Sequence, residues 1–268
     1  TQTKRISEKV RSDTARQRRL KQASISYWEM ARSPFASLLL VTPLLMAYEL
    51  GWFWLGQAGD DSYRTGADSW IRQAMANLGC TDPRILPCAV IAILIGWQVV
   101  HRRAWRVAPS IILLMILESL VLAVALVGLS RFVDLASIYL ESSPARLLAV
   151  HEEKTAKLAP TILGFLGAGI YEEVLFRLIL VPGFFYGLRL VRMPHVLASA
   201  LAVTCSGLLF SLAHHAGIPG EPFTWFAFVF RWFAGVAFAW IFVIRGFGIA
   251  VGTHTAYDIL VGWFGWHF

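Results

Sequence analysis

The sequence predicts an all-α protein, a polytopic bundle of about seven to eight membrane helices around a polar intramembrane cavity. Hydrophobic residues make up 57% of the 268 residues and charged residues only 15%, a balance typical of integral membrane proteins. The apolar residues also fall into long runs, close to the roughly 20 residues that a helix needs to cross a bilayer. Finally, several ionisable residues lie inside these runs, which favours an enclosed polar site.

The net charge of +7 lies largely in the N-terminal part of the chain. Residues 3–23 are polar and strongly basic, as expected for a cytoplasmic tail that is attracted to anionic membrane lipids. No nucleic-acid-binding module is recognisable, so we expect no nucleic-acid partner and interpret the charge as a signal of membrane orientation. We therefore expect a multi-pass protein of a bacterial cytoplasmic membrane, with its N-terminus inside.

The apolar runs follow one another from residue 34 onward. The first ends in an aromatic triplet, as expected where a helix reaches the membrane surface, and a polar loop with an amphipathic helix over residues 68–79 follows. The predicted spans are Pro34 to Leu55, Ile85 to Val100, Ala108 to Leu129, Leu158 to Val181, Val196 to Ala213, Phe223 to Ile244 and Phe247 to Phe264. Three regions are predicted: a basic tail (1–33), N-terminal membrane helices with amphipathic loops (34–157), and a helical core that carries the candidate site (158–268).

The fourth span contains Glu172, Glu173 and Arg177 in an otherwise apolar run. A charged side chain at the bilayer centre costs about 2.5–3.5 kcal/mol on insertion scales, so such residues are functional or mutually paired. Glu173 and Arg177 stand four residues apart on one helical face, which favours a structural ion pair. Glu172 points about 100° away from Glu173 and is the better candidate for a general base.

Two later spans carry further polar groups. His214 and its neighbour His215 close the fifth span, and His254 and Asp258 lie four residues apart in the seventh. Polar groups on separate apolar helices satisfy one another only where the helices converge. A carboxylate and two histidines in a shielded cavity predict either a water-activating site or a metal site.

Two hydrolytic mechanisms are open at this point. In one, Glu172 is the general base, His214 orients the water, and His254 with Asp258 acts at the developing oxyanion. In the other, His214, His254 and Glu172 bind zinc and leave one position for water. The sequence contains no HExxH pair, so zinc ligands would have to come from separate helices, and the mechanism without a cofactor is favoured.

Three motifs resemble a known family. Glu172 to Arg177 matches EExxxR, Phe210 to His214 matches FxxxH, and His254 to Asp258 matches HxxxN/D, in this order and each on an apolar helix. The chain is therefore similar, over about residues 158–264, to the CPBP intramembrane proteases. That family includes the type II CAAX prenyl endopeptidases and bacteriocin-immunity-related membrane proteins.

The resemblance implies a multi-helix membrane fold and peptide-bond hydrolysis in a membrane-associated or lipidated protein. By position, Glu172 corresponds to the catalytic base and His214 to its partner at the water, while His254 and Asp258 correspond to the oxyanion-stabilising pair. Glu173, Arg177 and Phe210 take supporting roles. Asp258 stands where the prenyl-processing members typically have asparagine, and an ionised aspartate would oppose an oxyanion, so Asp258 must be protonated or must orient His254.

Non-enzymatic hypotheses remain beside the protease. The protein would alternatively be a non-catalytic membrane scaffold or immunity protein, or a proton-coupled transporter that uses the same polar cluster as a relay. The hydropathy pattern shows no inverted repeat of the transporter type. The sequence also lacks the GxSxG and GxGD motifs of serine and aspartyl intramembrane proteases. Glu118, in the third span, is a further intramembrane carboxylate whose relation to the site is open.

Overall fold

A computed structural model of the chain describes residues 27–56, 64, 66–102, 104–140, 158–216 and 223–263. All regular elements within these ranges are helices, which confirms the all-α fold class. Most of the predicted basic tail lies outside the described residues, as does the part of the long connection from 141 to 157.

The helices run in an order close to that of the predicted spans. They are α1 (Tyr27–Ala31), α2 (Pro34–Gly56), α3 (Gly66–Asn77), α4 (Ile85–His101), α5 (Pro109–Leu140), α6 (Leu158–Gly167), α7 (Val181–Leu190), α8 (His195–His215), α9 (Trp225–Arg245) and α10 (Phe247–Trp263). Between α6 and α7 the chain is π-helical over Ala168–Glu172 and Val174–Leu180. We call residues 168–180 the π segment. The sequence predicts instead that the π segment is α-helical, as part of the fourth span.

Four described helices are long and apolar enough to cross a membrane, by length and composition: Pro34–Leu55, Pro109–Phe132, His195–His215 and Trp225–Arg245. This is fewer than the seven to eight spans predicted. The second and seventh predicted spans form shorter helices of 17 residues each, and the fourth is divided between α6 and the π segment. Apolar side chains such as Leu113 and Val121 on α5 point outward, with 67% and 60% of their surface exposed, as expected for a face that contacts lipid.

Helix α10 lies at the centre of the bundle. It packs against α5, α2, α9 and the first part of the π segment, and its residues Ile249, Ala250 and Val251 have no exposed surface. A β-carbon on Gly248 would lie 2.8 Å from the Cα atom of Ser37, so glycine lets α10 and α2 approach at backbone distance. This packing places His254 of α10 beside the π segment. The division of the chain into regions 1–33, 34–157 and 158–268 stays a prediction.

Candidate active site

His254 lies where the candidate residues meet. Its side chain is almost fully buried, and its Nδ1 atom lies 2.7 Å from Oε1 of Glu173 on the π segment. An ionised carboxylate only accepts hydrogen bonds, so Nδ1–H of His254 donates to it. The other ring nitrogen, Nε2, lies 3.9 Å from Oε2 of Glu172 and 3.6 Å from Oδ2 of Asp258. Nε2 of His254 is therefore flanked by two carboxyl groups without a direct hydrogen bond to either.

Glu173 also binds Arg177. The Nη1 atom of Arg177 lies 3.0 Å from the same Oε1 of Glu173, and neither side chain is exposed. The Nη2 atom donates a hydrogen bond of 3.2 Å to the carbonyl of Gly235 on α9, and the guanidinium lies 4.5 Å from the ring centroid of Phe210. The spacing of four residues predicted the contact between Glu173 and Arg177, whereas nothing in the spacing predicted that Glu173 would also hold His254.

Glu172 and His214 line one small cavity of about 200 Å³. The Nδ1 atom of His214 lies 2.8 Å from the carbonyl oxygen of Phe210. Because a carbonyl can only accept, Nδ1 carries the proton, and Nε2 of a neutral His214 is the nitrogen that can accept a hydrogen bond. The remaining lining comes from α3, the π segment and the end of α8: Gly66, Ala67, Trp70, Phe176, Ala213 and Ala216.

His214 also borders a second, larger cavity of about 520 Å³, together with His254 and Asp258. Its apolar wall is largely aromatic and includes Phe238, whose ring stacks on that of His254 with centroids 4.4 Å apart and planes at 17°. The structure thus brings Glu172 together with His214 in one cavity, and His214 together with His254 and Asp258 in the other.

Close backbone packing between α8 and α9 positions this arrangement. A β-carbon on Gly235 would lie 2.9 Å from the Cα atom of Gly207, so the two helices touch through their backbones at this point. The approach brings the carbonyl of Gly235 within reach of Arg177. On the same side, the hydroxyl of Ser206 on α8 donates to the carbonyl of Phe176 in the π segment at 2.5 Å.

A comparison with protein-family models places these motifs in a known group. Residues 154–260 resemble the Rce1-like family. They match the family model described as type II CAAX prenyl endopeptidase Rce1-like, and all three motifs lie inside the matched segment. Neither a search of the curated proteins nor one of the solved structures gave a match. The resemblance drawn from the motifs is confirmed for this segment.

The matched family is one of proteases, so the match implies a protease. Together with the four helices long and apolar enough to cross a membrane, the match indicates an integral membrane protein.

The zinc alternative depends on which ring nitrogens of His214 and His254 could bind a metal. Nδ1 of His254 is engaged by Glu173 and Nδ1 of His214 by the carbonyl of Phe210, which leaves Nε2 of each ring as the nitrogen able to bind a metal. Among the described residues, no group of three or more His, Cys, Asp or Glu side chains is arranged to hold a metal ion. The zinc set of His214, His254 and Glu172 is therefore not formed in the Rce1-like segment, and no step below uses a metal.

Sequence reasoning left Arg231 and α3 out of the candidate site. Arg231 lines the larger cavity beside Asp258 and Tyr257, and its position as an arginine inside an apolar helix was the available signal. Phe210, expected in a supporting role, lies between polar groups of the Rce1-like site: its ring centroid is 4.7 Å from that of His214 and 5.9 Å from that of His254.

Glu118 has a separate environment. Within the described part of the chain its hydrogen bonds come from Arg245, with Nη2 at 2.6 Å, and from the hydroxyl of Tyr27. It therefore belongs to an ion pair between α5 and α9, and it lines neither of the two cavities described above.

Proposed function

We propose that this protein is an intramembrane endopeptidase that hydrolyses a peptide bond in a membrane-associated or lipidated protein. Glu172 and His214 activate the attacking water, and His254 with Asp258 acts near the oxyanion. The observation that supports this most is the position of His214, which borders the cavity of Glu172 on one side and that of His254 and Asp258 on the other. A water between Glu172 and His214 would be next to the space in which a substrate carbonyl can reach His254.

In the proposed reaction the ionised carboxylate of Glu172 accepts a proton from water, and the hydroxide forms a bond to the carbonyl carbon of the substrate. The electron pair of the carbonyl moves onto its oxygen, which becomes the oxyanion. Nε2 of His214 accepts a hydrogen bond from the second O–H of the water, which keeps that hydrogen, and so orients the attack. When the tetrahedral intermediate collapses, the C–N bond breaks, and Glu172 returns its proton to the leaving amine.

His254 is the proposed donor to the oxyanion. Since Glu173 engages Nδ1, a protonated His254 directs its Nε2–H toward the cavity, where a preorganised donor stabilises negative charge as it develops. Asp258 lies 3.6 Å from that nitrogen and acts by orienting the ring, because its own negative charge would oppose the oxyanion. Glu173 and Arg177 are positioning residues in this scheme, and Phe210 packs between them and the histidines.

The proposed substrate is a lipidated or helical membrane peptide. The family description supports a prenylated peptide. Asp258, in place of the asparagine that is usual in prenyl-processing members, argues against a strict requirement for the prenyl group. A helical substrate must unwind locally before its amide is accessible. Cleavage of one peptide, prepared with and without a prenyl group, distinguishes the two possibilities.

The decisive test compares membrane-protein N-termini in cells that carry the wild-type chain, Glu172→Gln or Glu29→Gln at equal abundance. Glu29 is exposed on α1 and serves as a matched control for the same chemical change. We expect N-termini that are present with the wild type and Glu29→Gln to vanish with Glu172→Gln. With the purified protein, loss of the general base should lower the cleavage rate at least ~10²-fold.

The non-enzymatic hypotheses give different outcomes. An unchanged set of N-termini with a retained biological phenotype would contradict the protease and support a scaffold or immunity protein. Proton flux into proteoliposomes that is lost with Glu172→Gln, in the absence of cleavage, would support a transporter.

A further inference from the structure

Helix α3, which lies outside the Rce1-like segment, supplies one wall of the Glu172 cavity. Gly66, Ala67 and Trp70 at the start of α3 line this cavity together with Glu172 and His214. From the sequence, α3 is only an amphipathic helix at the membrane surface. In the structure, the position of α3 decides how open the cavity around Glu172 is.

A buried carboxylate fixes α3 in this position. Asp68 on α3 has no exposed surface, and it accepts hydrogen bonds from the hydroxyl of Tyr48 at 2.7 Å, from Nη1 of Arg64 at 2.9 Å and from Nε of Arg72 at 2.6 Å. A buried carboxylate is tolerated only when charge-assisted hydrogen bonds offset its desolvation. Tyr48 belongs to α2, so Asp68 ties α3 to the bundle.

The same network continues to the residue before Glu172. Nη2 of Arg72 donates to Oε1 of Glu49 at 2.8 Å, and the hydroxyl of Tyr171 donates to that same oxygen. Tyr171 has no exposed surface, and its ring lies edge-on to that of Tyr48 with centroids 5.4 Å apart. Hydrogen bonds therefore connect Asp68 to Tyr171 through Arg72 and Glu49.

The hydrogen bond of Tyr171 affects Glu172 because the two residues are neighbours in the π segment. Tyr171 and Glu172 are the last two residues of the first π-helical stretch, Ala168–Glu172. π-Helical turns are rare, occur mostly as single turns and are frequent at functional sites. A π turn of this kind needs tertiary contacts to hold its register, and the side chain of Tyr171 makes such contacts beside Glu172.

We propose that Asp68, Arg72, Glu49 and Tyr171 form a positioning network that docks α3 over the Glu172 cavity and fixes the π turn carrying Glu172. The part of the chain that precedes the Rce1-like segment thereby completes the site. The effect on catalysis rests on the proposed function, whereas the docking of α3 does not.

The docking is tested without any measurement of proteolysis. In a chain whose Cys80, Cys88 and Cys205 are replaced by serine, Ala213→Cys places one thiol in the Glu172 cavity. The detergent-solubilised protein is reacted with N-ethylmaleimide with and without Asp68→Asn. We expect labelling of position 213 to become about tenfold faster, since loss of a charge-assisted hydrogen bond weakens docking by about 1.4 kcal/mol or more.

The matched control for this charge removal is Asp82→Asn. Asp82 pairs with Arg84 in the loop after α3, where both side chains are exposed, so its loss should leave labelling unchanged. Equal labelling rates in the Asp68→Asn and parent proteins would overturn the docking of α3. If Asp68→Asn does not fold, the labelling rate of position 213 is compared with and without Tyr171→Phe in the same Ala213→Cys chain. Faster labelling is again the expected result, and an equal rate would overturn the docking.

The positioning of Glu172 is tested by kinetics. Tyr171→Phe removes only the hydroxyl that reaches Glu49, and Tyr186→Phe, at an exposed position on α7, is its control. We expect Tyr171→Phe to lower kcat about 10- to 100-fold at unchanged KM, measured well below its thermal midpoint, since small displacements of a reacting group cost this much. An unchanged kcat, or a loss that follows the thermal midpoint, would overturn the positioning role. A wild-type chain inactive on every peptide would contradict the proposed function, and labelling would still decide the docking.

Discussion

The buried carboxylate of Glu173 contacts two other residues of the candidate site. Its carboxylate is the common partner of Nδ1 of His254 at 2.7 Å and Nη1 of Arg177 at 3.0 Å. Glu173→Gln keeps the shape but leaves the buried guanidinium without its counter-charge, so we expect the free energy of unfolding to fall by about 3–5 kcal/mol. Denaturant titration in detergent measures this change.

The double variant Glu173→Gln with Arg177→Met separates loss of charge balance from loss of contact. Removal of both charges should restore part of the stability, because no unpaired charge is then buried. Cleavage activity should stay low, since an amide oxygen replaces the charged acceptor that holds a protonated His254. An unchanged stability of Glu173→Gln alone would contradict the role of this carboxylate as the counter-charge of Arg177.

At the scale of the elements, the contact between α8 and α9 depends on small residues. Gly235→Ala places a β-carbon 2.9 Å from the Cα atom of Gly207, so α9 must move away and lengthen the hydrogen bond from Arg177 to the carbonyl at position 235. We expect a destabilisation of about 1–3 kcal/mol, measured by the same titration. Gly96→Ala on α4 is the control, because a β-carbon there meets no atom within 4 Å, and it should stabilise by about 0.5–1 kcal/mol. A stabilised Gly235→Ala variant would contradict the backbone contact.

The elements also show which features a sequence can predict. The contact of Glu173 with Arg177 follows from helical spacing, and so does that of Phe210 with His214, because residues four apart share a face. The bond between Glu173 and His254 joins positions 81 residues apart, and no local spacing encodes it. The π segment was missed because an apolar run reads the same whether its backbone bonds are i to i+4 or i to i+5. Likewise, the amphipathic pattern of α3 predicts a helix at the membrane surface, but it does not predict that this helix lines the Glu172 cavity.

For the molecule as a whole, the ion pair of Glu118 and Arg245 connects α5 with α9, and it should stabilise the bundle without acting in catalysis. Arg245 is 4% exposed, donates to Glu118 through Nε and Nη2, and lies 3.5 Å from the ring centroid of Trp28. Arg245→Gln leaves the carboxylate of Glu118 without its counter-charge, so we expect a loss of about 3 kcal/mol in the free energy of unfolding. The exposed pair of Arg84 provides the control, and Arg84→Gln should leave stability unchanged.

The same variant separates global stability from the chemistry of the site. Arg245 contacts α1 and α5, whereas the proposed catalytic groups lie on the π segment, α8 and α10. The cleavage rate per folded molecule should therefore stay within about twofold of the wild type, because Arg245 contacts neither the proposed catalytic groups nor the residues that position them. Activity is measured well below the lowered unfolding midpoint, so that the folded fraction is the same in both proteins. A drop in kcat as large as that of Glu172→Gln would show that the α5–α9 ion pair and the site are energetically coupled.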